Sequence, residues 1–148
     1  MQQKILFLIL SISAISTFGS LYFSEVIGIL PCNLCWYQRI FAYPIFIISL
    51  VAFIKKEYLV FKYIFFLALF GFLFALYHVL YENGIVPSSK FCAVGVDCSV
   101  KYVNYLGFIT IPFLSLISFI SIMVLCLNRK YLKFFESNKP KILQNLFK

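Results

Sequence analysis

The sequence predicts an all-α, polytopic membrane protein: a four-transmembrane-helix bundle with both termini cytoplasmic. Three observations set this class. The chain of 148 residues is 63% hydrophobic, with a mean hydropathy of +0.97. A soluble domain of this length is closer to half apolar, because a small domain has much surface to cover with polar groups. The apolar residues also fall into four runs, each near the ~20 residues a helix needs to cross hydrocarbon. Finally, the lysines and arginines bracket these runs.

The first expected helix, 5–23, carries no charge and follows Lys4. It also fits a signal peptide, but it is long for that, and no small-residue cleavage site follows. A retained helix is the better reading. The second, 36–54, is charged only at Arg39. The third, 60–81, has Lys62 near its start, where the side chain can snorkel. The fourth is 106–127. Many Phe and β-branched residues do not argue against helices here, because lipid forces the backbone to satisfy its own hydrogen bonds. Pro44 and Pro112 are expected inside helices as kinks.

Orientation follows from the basic residues. Lys4, the Lys55–Lys62 region and a tail with Arg129, Lys130, Lys133, Lys139, Lys141 and Lys148 hold most of the positive charge. The remaining loops hold Arg39, Lys90 and Lys101, balanced by Glu25, Glu82 and Asp97. The positive-inside rule then puts both termini in the cytoplasm and loops 24–35 and 82–105 outside. The tail, 128–148, is expected to be solvated and to fix topology; the alternative for Tyr131–Lys148 is a short basic helix on the membrane surface. The net charge of +8 is thus topological; no basic stripe interleaved with exposed aromatics suggests nucleic acid. Residues 1–148 read as one membrane domain.

This topology sorts the five cysteines. Cys32 and Cys35 fall in the first outer loop and Cys92 and Cys98 in the second, while Cys126 lies near the inner end of the fourth helix, as a small apolar packing residue. Outside the cytosol, thiols persist as disulfides. Three readings compete for the outer pairs. As structural staples they close almost nothing, and disulfide stabilisation grows with loop length. A four-cysteine zinc site fits the spacing, but oxidising surroundings disfavour it. A redox relay fits C-x-x-C, the spacing that lowers a thiol pKa and makes the disulfide exchangeable.

The position of Cys35 favours the relay. It is expected at the N-terminal end of the second helix, where the dipole favours a thiolate. Arg39, four residues on, shares its helix face. An arginine at the edge of hydrocarbon is a functional hypothesis by default. No haem, iron–sulfur or dinucleotide fingerprint is present. A lipid-soluble quinone needs only an apolar groove, aromatic walls and a polar group, parts that Trp36, Tyr37 and Arg39 could supply. Aromatics at this depth also form the ordinary interfacial belt.

The stretch PCNLCWYQRI, from Pro31 to Ile40, resembles the quinone-dependent thiol oxidases of the DsbB family. The stretch CSVKYVNYLGFITIPFLSLISF, Cys98 to Phe119, is similar to the BdbC branch of Gram-positive bacteria. The resemblance implies a four-helix bundle in the bacterial cytoplasmic membrane, acting as a monomer, with its active site on the extracytoplasmic face. It implies the disulfides Cys32–Cys35 and Cys92–Cys98, all four cysteines being catalytic. A secreted thioredoxin-fold oxidase of the DsbA/BdbD kind attacks the second pair, at Cys92. Electrons pass to Cys32–Cys35, and Cys35 hands them to a quinone from the membrane pool, menaquinone or ubiquinone, with Arg39 stabilising negative charge. The expected quinone contacts are Cys35, Trp36, Arg39 and His78. In Gram-negative members the second pair is widely separated; here five residues separate the two cysteines, so docking geometry does not carry over.

His78, near the outer end of the third helix, fits either a buried structural histidine or a quinone contact and proton relay. Glu82, one turn further on the same helix face, could serve protons, but a solvated loop residue is the expected reading. The competing function is a non-catalytic membrane scaffold with disulfide-stapled outer loops.

Overall fold

The computed structural model describes residues 2–57, 59–86 and 110–137, with side chains up to 128. Cys92 and Cys98 lie outside the described residues. α1 (Gln2–Leu21) runs into a π-helical turn (Tyr22–Val26). α2 (Asn33–Lys55), α3 (Phe61–Glu82) and α4 (Ile111–Ser137) follow. No strand occurs among the described residues. All four helices contain a segment long and apolar enough to cross a membrane.

Each helix packs on its neighbour in sequence, and α1 also packs on α4, closing a ring. The core stripe is Leu6 and Ile9 from α1, Ile45 from α2, Ile64 and Ala68 from α3, and Phe119 and Ile122 from α4. Large apolar side chains on the opposite faces, such as Ile15, Ile47, Phe66 and Val124, are exposed. In water such faces would be a liability; in lipid they meet a solvent as apolar as themselves.

Close approach relies on small residues, as is usual where no hydrophobic force pulls helices together in lipid. Ser13 of α1 and Ser49 of α2 are buried, with hydroxyls 3.4 Å apart. Each hydroxyl also lies within bonding distance of a carbonyl of its own helix, at Leu10 and Phe46. Gly71 lets α3 meet α4: a Cβ there would collide with the ring of Phe119.

The helix ends differ from expectation in instructive ways. α2 begins at Asn33, three residues before the expected start, because Cys32 caps it. α2 runs through Pro44 without interruption. Pro112 is the second residue of α4, in the first turn, where a missing N–H costs nothing, so it is not an interior kink. α4 continues to Ser137, so the first half of the tail is helical. Just beyond the end of α3, Gly84 turns the chain with a φ of +72°; its N–H donates to the Tyr81 carbonyl at 2.9 Å.

The topology brings the start of α2 and the end of α3 to one end of the bundle, where Cys32 meets His78. At the other end Phe7 of α1 packs on Phe53 of α2, ring centroids 5.9 Å apart.

Candidate active site

The site is built on the first turn of α2. Cys32 is the N-cap, in an extended backbone conformation, and its sulfur accepts the Cys35 N–H at 3.4 Å. The sequence assigned the helix-terminus advantage to Cys35; the structure gives it to Cys32, because the helix starts one turn earlier. The two sulfurs are 2.9 Å apart, so a small rotation closes or opens a bond between them. Cys32 is buried, whereas Cys35 is partly exposed. Leu34, Tyr77 and Tyr81 pack around Cys32.

His78 approaches from α3. It is buried, with Nε2 3.8 Å from Cys32 Sγ. Its Nδ1 is 3.0 Å from the amide nitrogen of Gln38, itself buried. An amide N–H donated to Nδ1 leaves the proton on Nε2, aimed at the Cys32 sulfur. This places His78 on the cysteine pair. Gln38 was not picked out from sequence, although an uncharged polar side chain in the first turns of an apolar span is the available signal.

Cys32 lies just outside the spanning segment. Its thiol is held well below the usual range, to about 4, chiefly by the hydrogen bond from the Cys35 thiol, with help from His78 and the Cys35 N–H, against the opposing effect of burial. The shift is downward, so the anion persists from the ordinary value of 9.0 down to about 4 and is lost only as the pH falls through that value. In reduced protein carrying Cys92→Ser and Cys98→Ser, ultraviolet thiolate absorbance is expected to remain at pH 6 and vanish below 4. A midpoint near 9 would contradict this arrangement.

Beside the pair opens a cavity of about 400 Å³ between all four helices, a size suited to a small-molecule headgroup. Cys35, Arg39, His78, Glu82 and Thr110 all line it. Arg39 Nη2 donates to the Ser20 carbonyl of α1 at 3.0 Å, immediately before the π-helical turn. Its guanidinium lies 5.6 Å over the Trp36 ring. Among the described residues its Nε is buried with no partner. Trp36 is half exposed and is not part of the cavity wall; it covers the guanidinium from outside. Glu82 is the last residue of α3, half-buried, and accepts a 2.8 Å bond from the Thr110 hydroxyl. It is therefore a wall residue rather than a solvated loop residue. Cys126, buried in the core far along α4, is a packing residue as expected.

The fold and site define a class: a four-helix membrane protein with two close thiols, one buried and one partly exposed, beside a cavity at one end that Arg39 and Glu82 line. The chain belongs to the DsbB family, described as "Disulfide bond formation protein DsbB", whose profile matches residues 2–128. It is 44% identical over 124 residues to "Probable disulfide formation protein C 1" of Bacillus anthracis, covering 83% of this chain and 89% of the relative. It is 43% identical over 135 residues to "Disulfide bond formation protein C" of Bacillus subtilis, covering 86% and 95%. A "SPbeta prophage-derived disulfide bond formation protein B" of the same species is 41% identical over 113 residues, 76% of each chain. No solved structure matches the chain.

Proposed function

We propose that the chain is a membrane dithiol:quinone oxidoreductase that supports disulfide-bond formation by reoxidising a secreted thioredoxin-fold oxidase. One observation carries the quinone reading: the Arg39 Nε–H is buried without a partner among the described residues, on a side chain that lines the cavity beside Cys35. A buried donor without an acceptor costs about 1–3 kcal/mol, and a ligand carbonyl oxygen would remove that cost. A bound quinone would supply an acceptor for two electrons and two protons.

Cys35, on the cavity side, is the thiol that meets the acceptor. A thiolate of the other pair attacks Cys32 and expels Cys35 toward the cavity; the second thiol of that pair then displaces Cys32, which, held anionic, is a good leaving group. His78 and Glu82, one turn apart on the cavity wall, are the candidate proton carriers. Arg39, fixed by Ser20 and covered by Trp36, offers a positive charge with little reorganisation. Cys92 and Cys98 form the entry pair that exchanges with the partner's dithiol. The balance is simple: the partner loses two electrons and two protons and gains a disulfide, while one quinone becomes one quinol. The distribution of Lys and Arg supports cytoplasmic termini and an extracytoplasmic site in a bacterial cell membrane.

The test is anaerobic mixing of the purified chain with a reduced thioredoxin-fold oxidase and a short-chain ubiquinone or menaquinone. One quinol is expected per disulfide formed. Thiol oxidation that proceeds equally without quinone would overturn the reading and favour a stapled scaffold.

A further inference from the structure

Cys32 Sγ, Cys35 Sγ and a ring nitrogen of His78 all lie within 4.8 Å of one another. Disulfide exchange needs the two sulfurs; it does not need a histidine nitrogen pointed at them. We propose that the reduced pair, together with His78, forms a binding site for a thiophilic divalent cation of the zinc class, and that oxidation of the pair abolishes it. The donor set is two thiolates and one imidazole, with a fourth position facing the cavity.

The geometry is close to what such an ion requires. Bonds of about 2.3 Å to sulfur and 2.0–2.1 Å to nitrogen at tetrahedral angles separate two sulfurs by about 3.8 Å and a sulfur from a nitrogen by about 3.6 Å. The Cys32–His78 separation is already 3.8 Å. The sulfurs, at 2.9 Å, must part by about 1 Å. Cys35 is partly exposed on the cavity, so its side chain has room to turn.

Gln38 makes the histidine usable. To ligate through Nε2, His78 must carry its proton on Nδ1. Gln38 has its amide 3.0 Å from Nδ1. By presenting its oxygen instead of its nitrogen, the same amide accepts that proton without moving the backbone. Metal-bound histidines regularly have such a partner on the other nitrogen.

Charge decides between this set and others. A divalent ion with two thiolates and a neutral imidazole has zero net charge, and binding releases the remaining thiol proton, that of Cys35. A neutral complex is the form that the rim of the hydrocarbon tolerates, since uncompensated buried charge is costly. The set also differs from one formed by the four outer cysteines, because it uses His78 and one pair. Binding does not depend on the proposed quinone chemistry. Its consequence does: an occupied pair cannot be reoxidised, so the ion would inhibit turnover.

Full-length reduced protein carrying Cys92→Ser and Cys98→Ser, in detergent and without oxygen, is titrated with Co²⁺ and then Zn²⁺. A tetrahedral thiolate–cobalt spectrum with one ion per chain is expected, lost on Zn²⁺ addition and absent after oxidation. His78→Ala should weaken binding by at least about 10-fold, and Gln38→Leu by about 10-fold, the usual effect of losing a supporting partner. Gln38→Leu keeps the test decisive should His78→Ala fail to fold. No cobalt spectrum, or equal affinity in Gln38→Leu, overturns the proposal; so does binding that requires Cys92 and Cys98. Quinone reduction by the metal-free wild type is read separately, so turnover without cobalt binding removes this inference alone, and cobalt binding without turnover removes the quinone reading alone.

Discussion

Quinone reduction by a Cys35→Ser chain is expected to fall by about 10³-fold or more, to the level of the uncatalysed reaction. Serine keeps the size of the side chain but cannot form a disulfide with Cys32, so no two-electron couple remains at the cavity. Losses of this order follow when a member of a unit that acts together is removed. The fold should survive, since Cys35 is only partly buried and the α2 cap uses the Cys32 sulfur and the backbone N–H of residue 35. The measurement is the rate of quinol appearance with a saturating reduced thioredoxin-fold partner. Non-reducing electrophoresis should show a covalent adduct with the partner accumulating. Full activity in this variant would remove Cys35 from its assigned role.

Arg39→Met is expected to lower kcat/KM for quinone by about 10- to 150-fold, the equivalent of about 1.5–3 kcal/mol for one charge-assisted hydrogen bond. The loss has two sources. The cavity loses the Nε donor that lacks a protein acceptor, and the Ser20 carbonyl loses its Nη2 partner. Arg39→Lys separates them. Lysine restores a positive charge but not the planar fork, so it should recover part of the loss at most. The thiol–disulfide exchange between the chain and its partner, followed without quinone, should stay near the wild-type rate in both variants. An unaltered KM and kcat for quinone in Arg39→Met would show that the guanidinium merely ties α2 to α1.

Much of this architecture was legible in the residues. Four apolar runs of membrane length, none with more than one charge, force helices, since lipid offers the backbone no other partner. C-x-x-C followed by Arg39 located the site, because each of those residues is anomalous at a hydrocarbon boundary. The start of α2 was misjudged because Cys is not a usual N-cap residue, so the motif read as loop up to Trp36. That one-turn displacement moved the dipole advantage from Cys32 to Cys35. The contact between Cys32 and His78 joins residues 46 positions apart, and nothing local encodes it. Gln38 was overlooked beside its charged neighbour. Trp36 was assigned to the groove on residue type alone, whereas helix phase turns it outward onto Arg39. Glu82 looked like loop because the end of α3 was placed one residue early, and Thr110 had not been given to it as a partner.

In the proposed reaction the sulfur that caps α2 is also one of the sulfurs that exchanges, so the chemistry would reach the backbone. As an anion, Cys32 sits against the positive end of the helix and receives an amide hydrogen. Once bonded to another sulfur it carries no charge, and a favourable contribution of about 0.3–1 kcal/mol disappears. The opening turn of α2 is therefore expected to be held more firmly with the pair reduced than with it oxidised.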